Sequence, residues 1–304
     1  MRSEGAGKMN AFLERLGFAP EDRVVIFHAD DLGMCHAMNE AFMEIVRQGF
    51  LRTGAVMVPC PWFPELAAFA REQAGALDIG VHLTLTSEWQ TYRWGPISTR
   101  DPGSGLLDAE GYFWRETEAV HAHMNAEAAA AELRAQIERA LAAGIDVTHI
   151  DTHMGSVLHP ELALVYIGLA QEYRIPAMIP RLSLEELTGM GISREMAQTF
   201  VTMRNVLEES GTLPVIDHLR SLEEPTPDAR LEKYAAVLRA LPPGLTHLLF
   251  HAARPGEEIR AIAPDWPMRV ADYSVFAGEG VRRLVEETGV KVLPYRALRE
   301  VMRA

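Results

Sequence analysis

Short apolar runs rich in β-branched residues recur along this chain, and stretches of helical character separate them. Val24 to Phe27, Thr53 to Val58, Ile79 to Leu85, Val147 to Ile150, Ile175 to Ile179, Thr246 to Phe250 and Val290 to Leu293 read as buried strands. Helices are expected near Ala11–Leu16 and over about 34–48, 65–73, 125–143, 161–173, 229–240, 272–288 and 295–303. Gly49 and Gly144 stand where two of them should end. Strand and helix in alternation imply parallel pairing through right-handed crossovers. About six to eight such units favour an α/β architecture closed as a (β/α) barrel, its ring incomplete or distorted, over an open sheet.

Two stretches break the alternation. Residues 182–224 read as helix and loop, and the acidic, proline-bearing segment at 223–228 as a surface linker. From about 87 to 118 the pattern dissolves, with Trp89, Tyr92, Trp94, Tyr112, Phe113 and Trp114 scattered among Gly, Pro, Ser and Thr. A long irregular loop in a compact domain tends to be functional, and aromatic faces suit sugar rings, so this insertion is expected to cover a substrate. The alternative is a loop whose aromatics patch the core. No repeat or convincing linker divides the chain, so one barrel domain over 1–304 with that insertion is the expected organisation.

A formal net charge of −13 disfavours nucleic-acid partners and anionic membranes and fits a neutral or cationic small substrate. No apolar run is long enough to span a membrane, and Met1 to Asn10 lacks a signal peptide's hydrophobic region, so the expected location is the cytoplasm. Cys35 and Cys60 are too few for a disulfide framework or a cysteine-rich zinc site. A homodimer is the base-rate expectation for an oligomer.

Function is expected where strands end. The first strand runs into Asp30-Asp31-Leu32-Gly33. Alternating side chains would diverge if the strand continued, but a bend at its carboxyl end can bring both carboxylates into one cleft. Such a pair suits a metal ligand beside a general base, whereas a lone Asp31 would more simply cap the helix starting near Met34. His82, Asp151 with His153, and His251 fall at three further strand ends. A carboxylate and two imidazoles with open positions make a common catalytic site for a divalent ion. His121 and His123 read as solvated surface, and His28, His36, His149 and His218 as structural.

These segments resemble a known family. Val25-Ile26-Phe27-His28-Ala29-Asp30-Asp31-Leu32-Gly33 resembles the NADDFG opening of the YdjC-like (ChbG-type) carbohydrate deacetylases. Gly80-Val81-His82-Leu83-Thr84-Leu85 resembles their GxHLTL segment, and Thr148-His149-Ile150-Asp151-Thr152-His153 their THxDSHxH segment. Glu132 with Gln136 matches the ExxxQ helix, and Phe250-His251 the late CHP histidine. The resemblance implies a glycoside hydrolase/deacetylase-type barrel and metal-dependent removal of an acetyl group from an N-acetylated amino sugar. It implies that Asp31, His82 and His153 hold one divalent ion, Mg²⁺ or Zn²⁺. Asp30 would be the general base and His251 the acid for the leaving amine, with the two aspartates interchangeable between their roles.

The chain also departs from the pattern. His28 replaces the usual Asn, Met154-Gly155-Ser156-Val157 replaces a histidine-rich continuation, and Ala252 replaces the Pro after His251. His159, at an expected helix start, and Arg254 are the residues left to ask about for substrate contact. Two other readings stand beside the amide hydrolase. One is a catalytically silent metal- or sugar-binding protein on the same scaffold. The other is a metal-dependent phosphoesterase, for which Arg254, Arg260 and Arg269 are the available cations.

Overall fold

The computed structural model describes residues 9–73, 75–189, 192–222 and 228–304. Among the described residues, the strands are β1 (Arg23–Leu32), β2 (Thr53–Val56), β3 (Asp78–Leu83), β4 (Val147–Thr152), β5 (His218–Arg220), β6 (Gly244–Phe250) and β7 (Lys291–Val292). All pairings are parallel, in the order β4-β3-β2-β1-β6-β5, with β7 lying against Val24 and Val25 of β1.

The two ends of this sheet meet through a thinner stave. Ile150 of β4 donates to Pro176 O at 2.9 Å and its carbonyl accepts from Met178 N at 2.9 Å. Further along, Ile216 N donates to Ile179 O at 2.8 Å, and Arg181 N donates to Ile216 O at 2.7 Å, just before β5. The ring is therefore closed, as a (β/α) barrel. Pro176 and Pro180 carry no N–H, which is why the expected strand at 175–179 survives only as isolated bridges.

Side-chain alternation sorts the strands into an inner and an outer face. Val25, Phe27 and Ala29 of β1 pack outward against the helices. Val24 and Ile26 face inward, with Leu245, Met178, Ile216 and Tyr295, and fill the floor of the barrel. Above that floor the inner positions turn polar: His28, Asp30, His82, His149, Asp151 and His247 are all buried. A barrel interior is normally apolar, so this stack of imidazoles and carboxylates marks the mouth as chemically dedicated.

Several boundaries differ from the sequence expectation. The second and third strands stop at Val56 and Leu83. The helix expected at 34–48 is His36–Arg47, with Cys35 as its N-cap residue and no side-chain cap, so Asp31 does not serve as a cap. The helix expected at 272–288 is two, Trp266–Phe276 and Glu279–Thr288, separated at Gly278. Within 182–224 lie helices Leu184–Gly189 and Arg194–Ser210 and the overlooked β5. That strand has three residues, none of them buried, and so carries no apolar pattern. The expected linker at 223–228 lies mostly outside the described residues.

The aromatic insertion is largely structural. Trp94 and Phe113 are buried in the main core, and Trp114 stacks on His123 at 4.2 Å. Trp89 and Tyr92 hydrogen-bond to Met34, and Tyr112 lies under the Arg93 guanidinium. Glu132 and Gln136 of helix Ala126–Ala142 pin this segment to β3. The Gln136 amide accepts from Thr84 N at 2.9 Å and donates to Thr84 O at 2.8 Å. The fully buried Glu132 carboxylate accepts from Ile97 N at 3.1 Å and Ser98 N at 2.8 Å. Glu132→Ala strands these amides, and a loss of about 2–4 kcal/mol is expected in chemical denaturation. Among the described residues, no helix is long and apolar enough to cross a membrane.

Candidate active site at the barrel mouth

The end of β1 is built to turn one carboxylate. Its register against β2 runs from Ala29↔Gly54 to Leu32↔Val56, so β1 carries one extra residue there, a bulge. Asp31 sits in it at φ 59°, the left-handed region that Asp tolerates better than most residues. Asp30 points inward in the ordinary alternation. The bulge then brings Asp31 back to the mouth instead of sending it to the helices. Both carboxylates thus reach one cleft, as the sequence suggested.

Asp31, His82 and His153 converge, each offering a ligand atom within 4.8 Å of the others. Oδ1 of Asp31 lies 3.4 Å from His82 Nε2 and 3.1 Å from His153 Nδ1. The far nitrogen of each imidazole is held by a carboxylate: His82 Nδ1 by Asp151 Oδ1 at 2.8 Å, and His153 Nε2 by Glu88 Oε2 at 3.0 Å. If those nitrogens carry the protons, both near nitrogens present lone pairs to the Asp31 oxygen. Among the described residues, that oxygen is buried without an aligned hydrogen bond. Three such atoms facing one point form a site that a cation, either a proton on one of the rings or a metal ion, would fill.

The electrostatics agree. Burial opposes ionisation of Asp31, but the facing imidazoles of His153, His251 and His82 outweigh it and hold the carboxyl well below its ordinary range. Burial likewise disfavours a charged His82, yet Asp151 and Asp31 push its pKa well up. Against the same burial, Glu88 and Asp31 raise His153 to about 9. The field at this point is negative enough to hold protons on both rings when no ion competes for them. The other carboxylate oxygen of Asp31 accepts from Arg269 Nη1 at 2.9 Å. Arg269 is itself buried, with its Nε shared by both oxygens of Asp265 at 3.0 Å.

Two further groupings, His28 with Asp30 and His247, and Asp30 with His82 and Asp151, are also compact enough to consider for a metal. Their atoms are already engaged, however. Asp30 accepts from His28 Nδ1 and Asp151 from His82 Nδ1. Burial opposes ionisation of Asp30, and the nearby His28, with His82 and His251 beyond it, still lowers its pKa. Of these carboxylate oxygens, Asp31 Oδ1 is the one that, among the described residues, is buried without a hydrogen-bond partner.

His251 closes the fourth side, with Nε2 3.8 Å from Asp31 Oδ2 and its side chain about a third exposed. Its backbone N–H donates to Asp272 Oδ2 at 3.1 Å, and Asp272 Oδ1 accepts from Arg230 Nε at 2.7 Å and Tyr234 OH at 2.9 Å. Beside it opens a cavity of about 600 Å³ lined by Leu182, Leu219, Leu249, Phe250 and Met268.

The remaining flagged residues fall elsewhere. His121 and His123 lie on a short helix and bond to Ser156 O and Ala119 O, away from the mouth triad. His159 caps the helix Pro160–Tyr173 and rests on His121. Arg254 pairs with Glu44, and Arg260 with Glu257, both on the surface. His36 bonds to Glu65 at 2.8 Å and His218 to Pro243 O at 3.0 Å. Burial pushes the Cys35 thiol up to about 12 and raises that of Cys60, and neither joins a candidate metal grouping among the described residues.

Nothing in the sequence points to Glu88 or Asp272, and the sequence offers Arg269 as a cation for phosphate rather than as a partner of Asp31. Glu88 opens the irregular insertion and Arg269 and Asp272 lie on a helix, so no strand-end position signalled any of them. Glu88→Gln is expected to weaken metal affinity about 10–100-fold, read by competition with a chelating dye, because the support of His153 is lost.

Comparison with known proteins decides the family. The family model described as YdjC-like protein matches residues 24–287, which hold every side chain of this site. The chain belongs to the YdjC-like family. A carbohydrate deacetylase of Thermus thermophilus is 40% identical over 290 residues, 95% of this chain and 98% of that protein. A carbohydrate deacetylase of Brevibacillus brevis is 31% identical over 204 residues, 64% of this chain and 78% of its own. Among solved structures, a protein of Enterococcus faecalis described as a cellobiose-phosphate cleavage protein superposes with a TM-score of 0.72. At 23% identity over 91% of this chain and 99% of its own, that likeness supports the YdjC-like fold.

Proposed function

We propose that this YdjC-like protein is a metal-dependent carbohydrate deacetylase that hydrolyses the acetamide of an amino sugar. The observation that carries the reading is the bare Asp31 Oδ1 facing His82 Nε2 and His153 Nδ1, each ring backed by a carboxylate. The named relatives support the substrate class. Asp31, His82 and His153 would hold one divalent ion. Two imidazoles and one carboxylate favour Zn²⁺ or a similar transition ion over Mg²⁺, which prefers oxygen ligands throughout. When bound, such an ion polarises an amide carbonyl and lowers the pKa of water.

The chain's own residues would do the rest. Asp30, kept ionised and oriented by His28, takes a proton from the attacking water as its oxygen bonds to the acyl carbon. His251, partly exposed beside the cavity, gives a proton to the nitrogen as the C–N bond breaks, releasing acetate and an amine. The apolar wall next to His251 would receive the body of the sugar. Both cysteines are free and buried, which suits a reducing compartment such as the cytoplasm. The phosphoesterase alternative is disfavoured because Arg254, Arg260 and Arg269 are each committed to a carboxylate.

The test is acetate release from a panel of N-acetylated amino sugars by the Zn²⁺-loaded protein, alongside phosphoester model substrates. Acetate release that chelation abolishes supports the reading. Phosphate release without acetate release overturns it.

A further inference from the structure

Beneath Asp30 lies an unbroken line of hydrogen bonds down the barrel interior. Asp30 Oδ1 meets His28 Nδ1 at 2.5 Å, His28 Nε2 meets His149 Nε2 at 2.7 Å, and His149 Nδ1 meets the Thr148 hydroxyl at 2.9 Å. His28, His149 and Thr148 are fully buried. The chain makes room for this line. A Cβ at Gly80 would lie 2.4 Å from His149 Nε2, so β3 carries no side chain where the ring passes. Tyr295 stacks on the same ring at 4.0 Å, and His247, tied to the Tyr295 hydroxyl at 2.8 Å, lies 4.6 Å from the ring of His28.

The line has a direction. Burial, with His28 and His247 beside it, holds the His149 pKa well down, so this ring is neutral and carries one proton. With that proton on Nε2, His149 donates to His28 Nε2, Thr148 donates to His149 Nδ1, and the neutral His28 must carry its own proton on Nδ1, facing Asp30. If His28 is charged it donates through both nitrogens, and His149 turns its proton toward Thr148. The remaining arrangement, a neutral His28 with its proton on Nε2 alone, would set a lone pair against the Asp30 carboxylate at 2.5 Å, so the arrangements that keep this contact a hydrogen bond point the Nδ1–H of His28 at Asp30. Among the described residues this is the hydrogen bond that reaches Asp30.

We propose that His28, held against Asp30 through Nδ1 and matched on its other nitrogen by His149, is a positioning residue that aims the Asp30 carboxylate into the mouth. The proposal rests on the deacetylase reading for its kinetic consequence, but its structural half stands apart from it. The residue type matters at the δ atom alone. An asparagine at 28 would set an amide N–H where His28 has Nδ1, whereas a phenylalanine keeps a ring and removes the donor.

The test joins two measurements on the Zn²⁺-loaded protein. In ¹⁵N-histidine NMR of the wild type, His28 Nδ1 is expected to be protonated; a neutral His28 with its proton on Nε2 alone overturns the proposal whether or not the protein deacetylates anything. In kinetics, His28→Phe is expected to lower kcat about 10–100-fold with KM and zinc content held, and His28→Asn to recover kcat to within about fivefold of wild type. A His28→Phe variant with full kcat overturns the proposal, and so does His28→Asn as slow as His28→Phe. Should His28→Phe not fold, the NMR result and the Asn variant decide. Absence of acetate release by the wild type, with Nδ1 protonated, would defeat the deacetylase reading and leave the tautomer standing.

Discussion

Asp30→Asn is expected to lower kcat by about 10²–10⁴ while the protein keeps its ion. The substitution is nearly isosteric and leaves an amide oxygen to accept from His28 Nδ1, so the hydrogen-bond line below it persists. What disappears is the basic lone pair that, on the proposed mechanism, would receive the proton of the attacking water. Steady-state acetate release measured beside metal content separates chemistry from ion loss. A variant with intact turnover would exclude Asp30 as the base and favour a protein that binds metal or sugar without catalysis. A variant that loses its ion would reverse the roles given to the two aspartates.

The second large effect is on the ion itself. His82→Ala combined with His153→Ala removes two of the three converging donors and leaves Asp31 with Arg269 and the more distant His251. Elemental analysis is expected to fall from about one divalent ion per chain to none, with kcat/KM down by at least about 10³, since the ion's polarising and water-activating roles go with it. Circular dichroism should remain that of a folded barrel, because the sheet pairing of β3 and β4 is made by backbone groups. Full metal content in the double variant would mean that the ion lies elsewhere, and His82 and His153 would be polar core residues.

Much of this was legible in the sequence, for physical reasons that differ by element. The alternation of apolar β-branched runs with helical stretches announced parallel pairing, since buried strands have no polar face to disguise them. The convergence of Asp30, Asp31, His82, His153 and His251 was legible because the carboxyl ends of barrel strands meet at one rim. The closure was not. Pro176 and Pro180 reduce one stave to bridges, and β5 is too short and exposed to leave a pattern. How the aromatic insertion packs was not legible, because Trp94 and Phe113 are core residues in irregular backbone, where no periodicity marks burial.

The partners of the site were the least visible. Glu88 and Arg269 reach it from a loop and a helix, and what they do depends on three-dimensional proximity alone. Asp31 shows the opposite case. The bend that an adjacent Asp-Asp pair requires is present as a one-residue bulge with a left-handed Asp31. His28 and His149, read from sequence as structural, fill the barrel interior as expected and also form the support beneath Asp30.

The function proposed for this chain turns on Asp31, His82 and His153 forming a metal centre at the barrel mouth. Anomalous scattering from crystals grown with Zn²⁺ and collected on both sides of the zinc edge tests it most directly. One strong peak is expected at about 2.0–2.2 Å from an Asp31 oxygen, His82 Nε2 and His153 Nδ1. A peak at His121 and His159 instead, or none at the mouth after loading, would contradict it.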